Sequence, residues 1–225
     1  MNMSAQPATE HRIPAVKPKL RGWLHAGMTP AVLLAGLVLA VFAPTLPGRI
    51  GGGIYLLAAL MLFGTSATYH RGNWTPQTMA VFRRVDHSNI FVFIAGTYTP
   101  LCLLLLRGTS QVLLLSLIWG IAVAGVVFRS LWLNAPRWLY SMLYVAMGWV
   151  AIWWLPALWA AGGAAVVVLI IIGGVVYSLG ALAYALKRPN PIPGWFGFHE
   201  VFHACTVIAA ICHYVAIALA TFTAA

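Results

Sequence analysis

Long apolar runs alternate with short breaks that carry the cations of this chain. The runs fall at 28–46, 51–70, 87–106, 110–128, 138–157, 163–186 and 199–222. Each is close to the roughly 20 residues that a helix needs to cross the hydrocarbon core of a bilayer. The pattern predicts an all-α protein, a seven-transmembrane helix bundle over 28–225 preceded by a basic tail over 1–27. The fifth run is uncharged and rich in Trp, and Pro156 is expected to end it. The break before the third run holds Thr75-Pro76, a helix-start pair. Trp74, Thr78, Val81, Phe82 and Val85 then recur at near-helical spacing, which predicts a short interfacial helix leading into the third span. The tail does not read as a signal peptide, because its charged region is long and Pro44 directly follows the small residue Ala43. The first span is therefore expected to be retained.

Composition sharpens this picture. Only 7% of the residues are charged, against about a quarter in soluble domains. A water-facing globular surface is excluded. The net charge of +10 would suggest nucleic acid in a soluble protein; here its distribution sets topology instead. Arg12, Lys17, Lys19, Arg21, Arg71, Arg83, Arg84, Arg129, Arg137, Lys187 and Arg188 fall on the side of the N-terminus, and only Arg49 and Arg107 on the other. Cytoplasmic loops collect Lys and Arg, so the N-terminus is expected in the cytoplasm and the C-terminus outside. That is inverted relative to G-protein-coupled receptors. The last run also lacks a lysine, which excludes a retinal Schiff base. Cys102, Cys205 and Cys212 lie inside apolar runs, form no Cys-x-x-Cys motif and read as buried small hydrophobes.

The chemistry concentrates at one rim. The chain has three acids, Glu10, Asp86 and Glu200, and the last two each adjoin a histidine. His70 ends the second run, Asp86 and His87 open the third, and His199 and His203 open the seventh. Under the predicted topology all of them meet at the cytoplasmic level. Ionisable groups at membrane depth are costly and mark sites. His199 and His203 are spaced i, i+4, so two imidazoles share one helical face and can grip one metal ion. A third nitrogen from His70 would complete a three-His set that leaves a fourth position for water. Asp86 suits a supporting role, accepting a proton from that water or orienting an imidazole. Ser66 lies one turn before His70 and points into the same space.

Each residue also has a plainer reading. Ser66 can bond its own i−4 carbonyl, and Asp86 can cap a helix. His87 lies about 100° round the helix from Asp86, so both cannot face one ion. His213 sits about 15 Å deeper than His203 and reads as a packing residue. His199-Glu200-Val201-Phe202-His203 also matches H-E-x-x-H, the zinc-protease helix motif in which Glu is the general base. His213 is then the sole downstream candidate for a third ligand.

Three motifs in order resemble one family. They are Ser66-x-x-x-His70, Arg84-Val85-Asp86-His87-Ser88-Asn89-Ile90 running to Ala95-Gly96-Thr97-Tyr98-Thr99-Pro100, and His199-Glu200-x-x-His203. Together they resemble the hemolysin III family, the mainly bacterial branch of the progestin and adipoQ receptor superfamily that also contains the adiponectin receptors. The resemblance covers essentially everything after the tail. It implies a zinc ion (Zn2+) held by His70, His199 and His203, Asp86 contacting the zinc water, and Ser66 nearby. The superfamily is also similar to alkaline ceramidases, which carry the same residue set and cleave lipid amides.

The expectation is a multi-pass protein of the bacterial inner membrane, with membrane lipids as partners and no nucleic acid. It would hydrolyse acyl-lipid amide or ester bonds near the cytoplasmic leaflet. The competing expectations are a receptor-like or membrane-homeostasis protein with structural zinc, the pore-former that the family is named for, and the H-E-x-x-H protease. A lipid substrate further requires an apolar cavity running from the metal toward the bilayer centre. Ala204, Ala209, Ala210, Ala216, Gly173, Gly174 and Gly180 are the small residues available to shape it.

Overall fold

The computed structural model describes residues 18–223. Most of the predicted tail, with Arg12 and Lys17, lies outside the described residues. Within them the chain is helical and contains no strand, only one isolated bridge between Ile192 and Phe196. The helices are α1 (Trp23–Phe42), α2 (Leu46–Arg71), α3 (Pro76–Leu105), α4 (Gly108–Leu131), α5 (Arg137–Gly148), α6 (Leu155–Leu186) and α7 (Phe198–Thr223). A short 3-10 helix, Val150–Trp154, joins α5 to α6. By length and composition six segments can cross a membrane, with Arg137–Leu186 counting as one.

The helix starts follow local chemistry. Thr45 and Thr75 cap α2 and α3 by accepting from the backbone N–H of Gly48 and Thr78, at 3.2 and 3.3 Å. A proline follows each cap in the first turn, where its missing N–H has no bond to lose. The Thr75 cap has a large consequence. The stretch expected to be a short interfacial helix running into the third span forms the first turns of α3, continuous to Leu105.

Pro156 does not end the fifth run. It occupies the first turn of α6, a position that tolerates proline because the preceding backbone is already 3-10. The real break is Gly163, with φ +76° and ψ 176° inside α6, a conformation open to glycine. The chain folds back there. Trp149 Nε1 donates to Ser178 Oγ at 2.9 Å, and the Tyr140 and Tyr184 rings lie 6.3 Å apart. Both pairs are nearly symmetric about position 163, so the two limbs run antiparallel.

α3 is the central helix. In its most apolar window 67% of residues are buried, against 22% for α1 and α4. Its polar residues are spent on neighbouring helices. Asn89 Nδ2 donates to the Met61 carbonyl at 2.8 Å, and Thr99 Oγ1 accepts from Trp119 Nε1 at 3.1 Å. Tyr98 Oη donates to the Gly148 carbonyl at 2.7 Å and accepts from Ala151 N–H at 2.9 Å. Those backbone groups lie just before and in the first turn of the 3-10 stretch, where regular helical bonding is interrupted and lipid offers no replacement. The outer surface is apolar, with Leu34, Phe42, Leu131 and Trp153 among its most exposed side chains.

Candidate metal centre

His70 projects from the last turn of α2, and His199 and His203 from the first two turns of α7. The structure brings them together across 129 residues of sequence: His70 Nε2 and His199 Nε2 are 3.2 Å apart. The His203 ring centroid lies 5.1 Å from that of His70 and 4.5 Å from that of His199. One ring nitrogen from each residue falls within 4.8 Å of the other two. Nitrogens sharing a tetrahedral ion at about 2.0–2.1 Å stand about 3.3 Å apart, so the closest pair already has ligand spacing. Three imidazoles and no thiolate make a donor set suited to zinc, copper, iron or nickel. The set fits a metal ion.

Asp86 stands beside the triad. Its Oδ2 is 3.8 Å from His70 Nε2, and the buried Ser66 lines the same cavity. α3 begins at Pro76, so Asp86 lies in the third turn of the helix and is not an N-cap. Ser66 is buried and on the face of α2 that carries His70. His87 faces elsewhere: its Nδ1 bonds the Arg83 carbonyl at 2.7 Å and its Nε2 lies 3.5 Å from Tyr184 Oη. His213 is a packing residue. Its Nε2 bonds the Ile170 carbonyl at 3.2 Å, and its ring fills the space where Gly173 has no side chain.

The acid of the H-E-x-x-H motif is occupied. Glu200 Oε1 is ion-paired to Arg21 Nε, and its Oε2 accepts from the Gly197 N–H at 2.9 Å. Only 1% exposed, Glu200 caps α7 and ties down the segment before α1. Nothing in this arrangement turns it toward the three imidazoles as a base.

Two residues escaped the sequence reading. His25 was placed in the tail, yet it is buried in α1 and stacks on His203 with centroids 3.8 Å apart and planes at 9°. Neither of its ring nitrogens has a hydrogen-bond partner among the described residues. Arg21 was counted only as a topology charge. Gly22, at φ +80°, seats this segment against α2, since a Cβ there would lie 2.8 Å from the Cβ of His70. An isolated apolar run beginning at Met28 offers no signal for such contacts; the only hint was that His25 lies within one turn of it.

Below the triad lies a cavity of about 90 Å³. Ser66, Asp86, His199 and His203 line its head, and Ile90, Ile94 and Tyr98 follow down α3 to His213. Between Asp86 and Tyr98 the helix rises about 18 Å. The expected cavity is present, but its walls differ from expectation. Of the small residues named above only Gly174 lines it, joined by Ala181. Ala209, Ala210 and Ala216 are fully buried, and Gly180 is closed by Cys205. Small residues here mostly let helices pack closely.

Comparison with known proteins assigns the family. The family described as Haemolysin-III related matches residues 14–214. The Hemolysin-3 homolog of Bacillus subtilis (strain 168) is 34% identical over 135 residues, 60% of this chain and 63% of that protein. Hemolysin-3 of Bacillus cereus is 27% identical over 177 residues, covering 77% and 80% of the two chains. The adiponectin receptor protein of Drosophila melanogaster is 26% identical over 186 residues, 74% of this chain and 41% of the receptor. The chain belongs to the Haemolysin-III related family and is a multi-pass integral protein of the bacterial membrane.

Proposed function

We propose that this member of the Haemolysin-III related family is a zinc-dependent hydrolase of acyl-lipid amide or ester bonds. One observation carries the reading: three imidazoles, two buried and one half-buried, converge at the head of an elongated, largely apolar cavity, with a carboxylate 3.8 Å from one of them. His70, His199 and His203 would hold the ion. When bound, zinc supplies Lewis acidity that polarises an acyl carbonyl and makes water acidic near neutral pH. Asp86 Oδ2 would take the proton of an attacking water and return it to the leaving nitrogen or oxygen. Ser66, lining the same cavity, would help hold Asp86 toward the triad. Leu62, Ile90, Ile94 and Phe202 offer the acyl chain an apolar wall.

The chain would cross the membrane seven times. The limbs of Arg137–Leu186 on either side of Gly163 are each about the length of one crossing. The excess of cations at the triad's end supports an N-terminus in the cytoplasm and a C-terminus outside. The triad would then face the cytoplasmic leaflet of the inner membrane, level with acyl carbonyls.

A structural reading has its own support. The ligands come from only two helices, and His25 packs face to face on one of them, as in a clamp between α2 and α7. Assay separates the two. The purified protein is given a panel of long-chain acyl amides and esters with and without chelator, beside the Asp86→Asn variant. Chelator-sensitive release of fatty acid, lost in the variant, supports the hydrolase. A zinc-loaded wild type with no activity on the whole panel leaves the clamp.

A further inference from the structure

A second cluster of ionisable groups lies at the same end of the bundle and takes no part in the chemistry above. Arg129, in the last turn of α4, is 1% exposed. Its Nη1 and Nη2 donate to the carbonyls of Trp132 and Leu133 at 3.2 and 3.4 Å, and its Nε is buried without a partner. Arg83 of α3 donates from Nη2 to that same Leu133 carbonyl, at 2.8 Å, and to Asn134 Oδ1 at 3.3 Å. Two guanidiniums thus converge on one neutral oxygen. Arg137, the first residue of α5, adds a third, with its Nη1 buried and unpartnered. All three are within electrostatic reach of the His87 ring.

No described carboxylate answers them. Glu200 is taken by Arg21, and Asp86 stands against His70. Aromatic faces supply part of the compensation: Arg129 lies 4.5 Å from the centroid of Tyr140, and Arg137 5.2 Å from that of Tyr184. Like charges gathered around one acceptor, one of them fully buried and two half-buried, remain costly unless an anion joins them. Guanidinium forks match the oxygens of phosphate, which they bind in pairs.

We propose that Arg83, Arg129 and Arg137 form a binding site for a phosphate-type oxyanion, supplied by the headgroup of an anionic membrane lipid or by free phosphate. The site stands whether or not the histidine centre hydrolyses anything. Its floor points to a link between the two regions, because Tyr140 and Tyr184 under the guanidiniums also line the cavity. A lipid bound by its phosphate here has an apolar channel beside it.

The test uses the full-length protein in non-ionic detergent, titrated with phosphatidylglycerol or phosphatidylcholine and read by native mass spectrometry. Wild type should retain phosphatidylglycerol at least tenfold better than phosphatidylcholine. Arg137→Gln, at a half-buried position, and Arg129→Gln should each remove about tenfold of that binding. Arg84→Gln, an exposed neighbour outside the cluster, should change it less than twofold. Displacement of the lipid by millimolar inorganic phosphate assigns the site to the free ion, and resistance assigns it to the headgroup. If Arg129→Gln does not fold, Arg83→Gln takes its place. Equal retention of the two lipids with no phosphate binding overturns the proposal. So does a loss in Arg84→Gln as large as in Arg137→Gln, which is general surface attraction. Zinc content and hydrolysis are not readouts, so failure here is separate from failure of the hydrolase reading.

Discussion

The first turns of α7 and its middle both carry histidine in an apolar helix, and they behave differently. At the start, His199 and His203 meet His70 from α2 and the ring of His25 from α1, with Asp86 of α3 alongside. Ten residues on, His213 meets one carbonyl, a glycine and the ring of Tyr177. A half-buried histidine whose hydrogen bond goes to one backbone oxygen is packing. What distinguishes the other region is that ring nitrogens from two helices come together, with a carboxylate from a third alongside. Convergence, not residue type, marks the site.

The contrast can be broken by removing one histidine from each region. His203→Ala should lower metal content to below about a tenth of wild type, because a three-ligand site has no spare donor. His213→Ala should leave it unchanged. Metal analysis of the two purified variants checks this, and equal losses would erase the distinction. Asp86→Asn sharpens the comparison inside the first region. It should keep the metal while hydrolysis falls by about 100-fold or more, the usual scale for a lost general base. Initial rates with the best substrate of the panel, alongside zinc content, measure both halves of that statement.

Smaller effects concern stability. Glu200→Gln removes the partner of Arg21 at a buried pair and should cost about 3 kcal/mol, seen as a lower midpoint in detergent thermal unfolding. A loss of zinc with no change in unfolding would instead place Glu200 in the centre. Gly173→Ala should cost about 1–3 kcal/mol by overpacking, since its Cβ would lie 2.3 Å from His213 Nε2. Its metal content should match wild type, because the strain falls in the packing region of α7.

Much of this was legible in the chain. The apolar runs placed the helices, and the i, i+4 pair with His70 and Asp86 at run ends named the triad and its carboxylate. Those signals are local or follow from depth in the membrane. The run ends were less legible, because capping overrode hydropathy: Thr75 starts α3 eleven residues before the apolar run, and Gly163 turns the chain where Pro156 was expected to end a span. Contacts of the N-terminal segment were not legible at all. Arg21 reaches Glu200 across 179 residues, and no periodicity encodes a pairing between a segment before the first helix and the start of the last. The cavity was anticipated for a partly wrong reason. Small residues mostly closed the helix interfaces, and the space opened beside larger side chains such as Ile90, Tyr98 and Phe202.

The central claim is that His70, His199 and His203 together hold one metal ion. X-ray absorption at the metal edge, on the full-length protein purified without chelator and quantified by elemental analysis, tests it most directly. Close to one zinc per chain is expected, with scattering from three imidazoles at about 2.0–2.1 Å and a fourth, oxygen neighbour. A folded wild type without metal, or a bound metal lacking imidazole scattering, would contradict it.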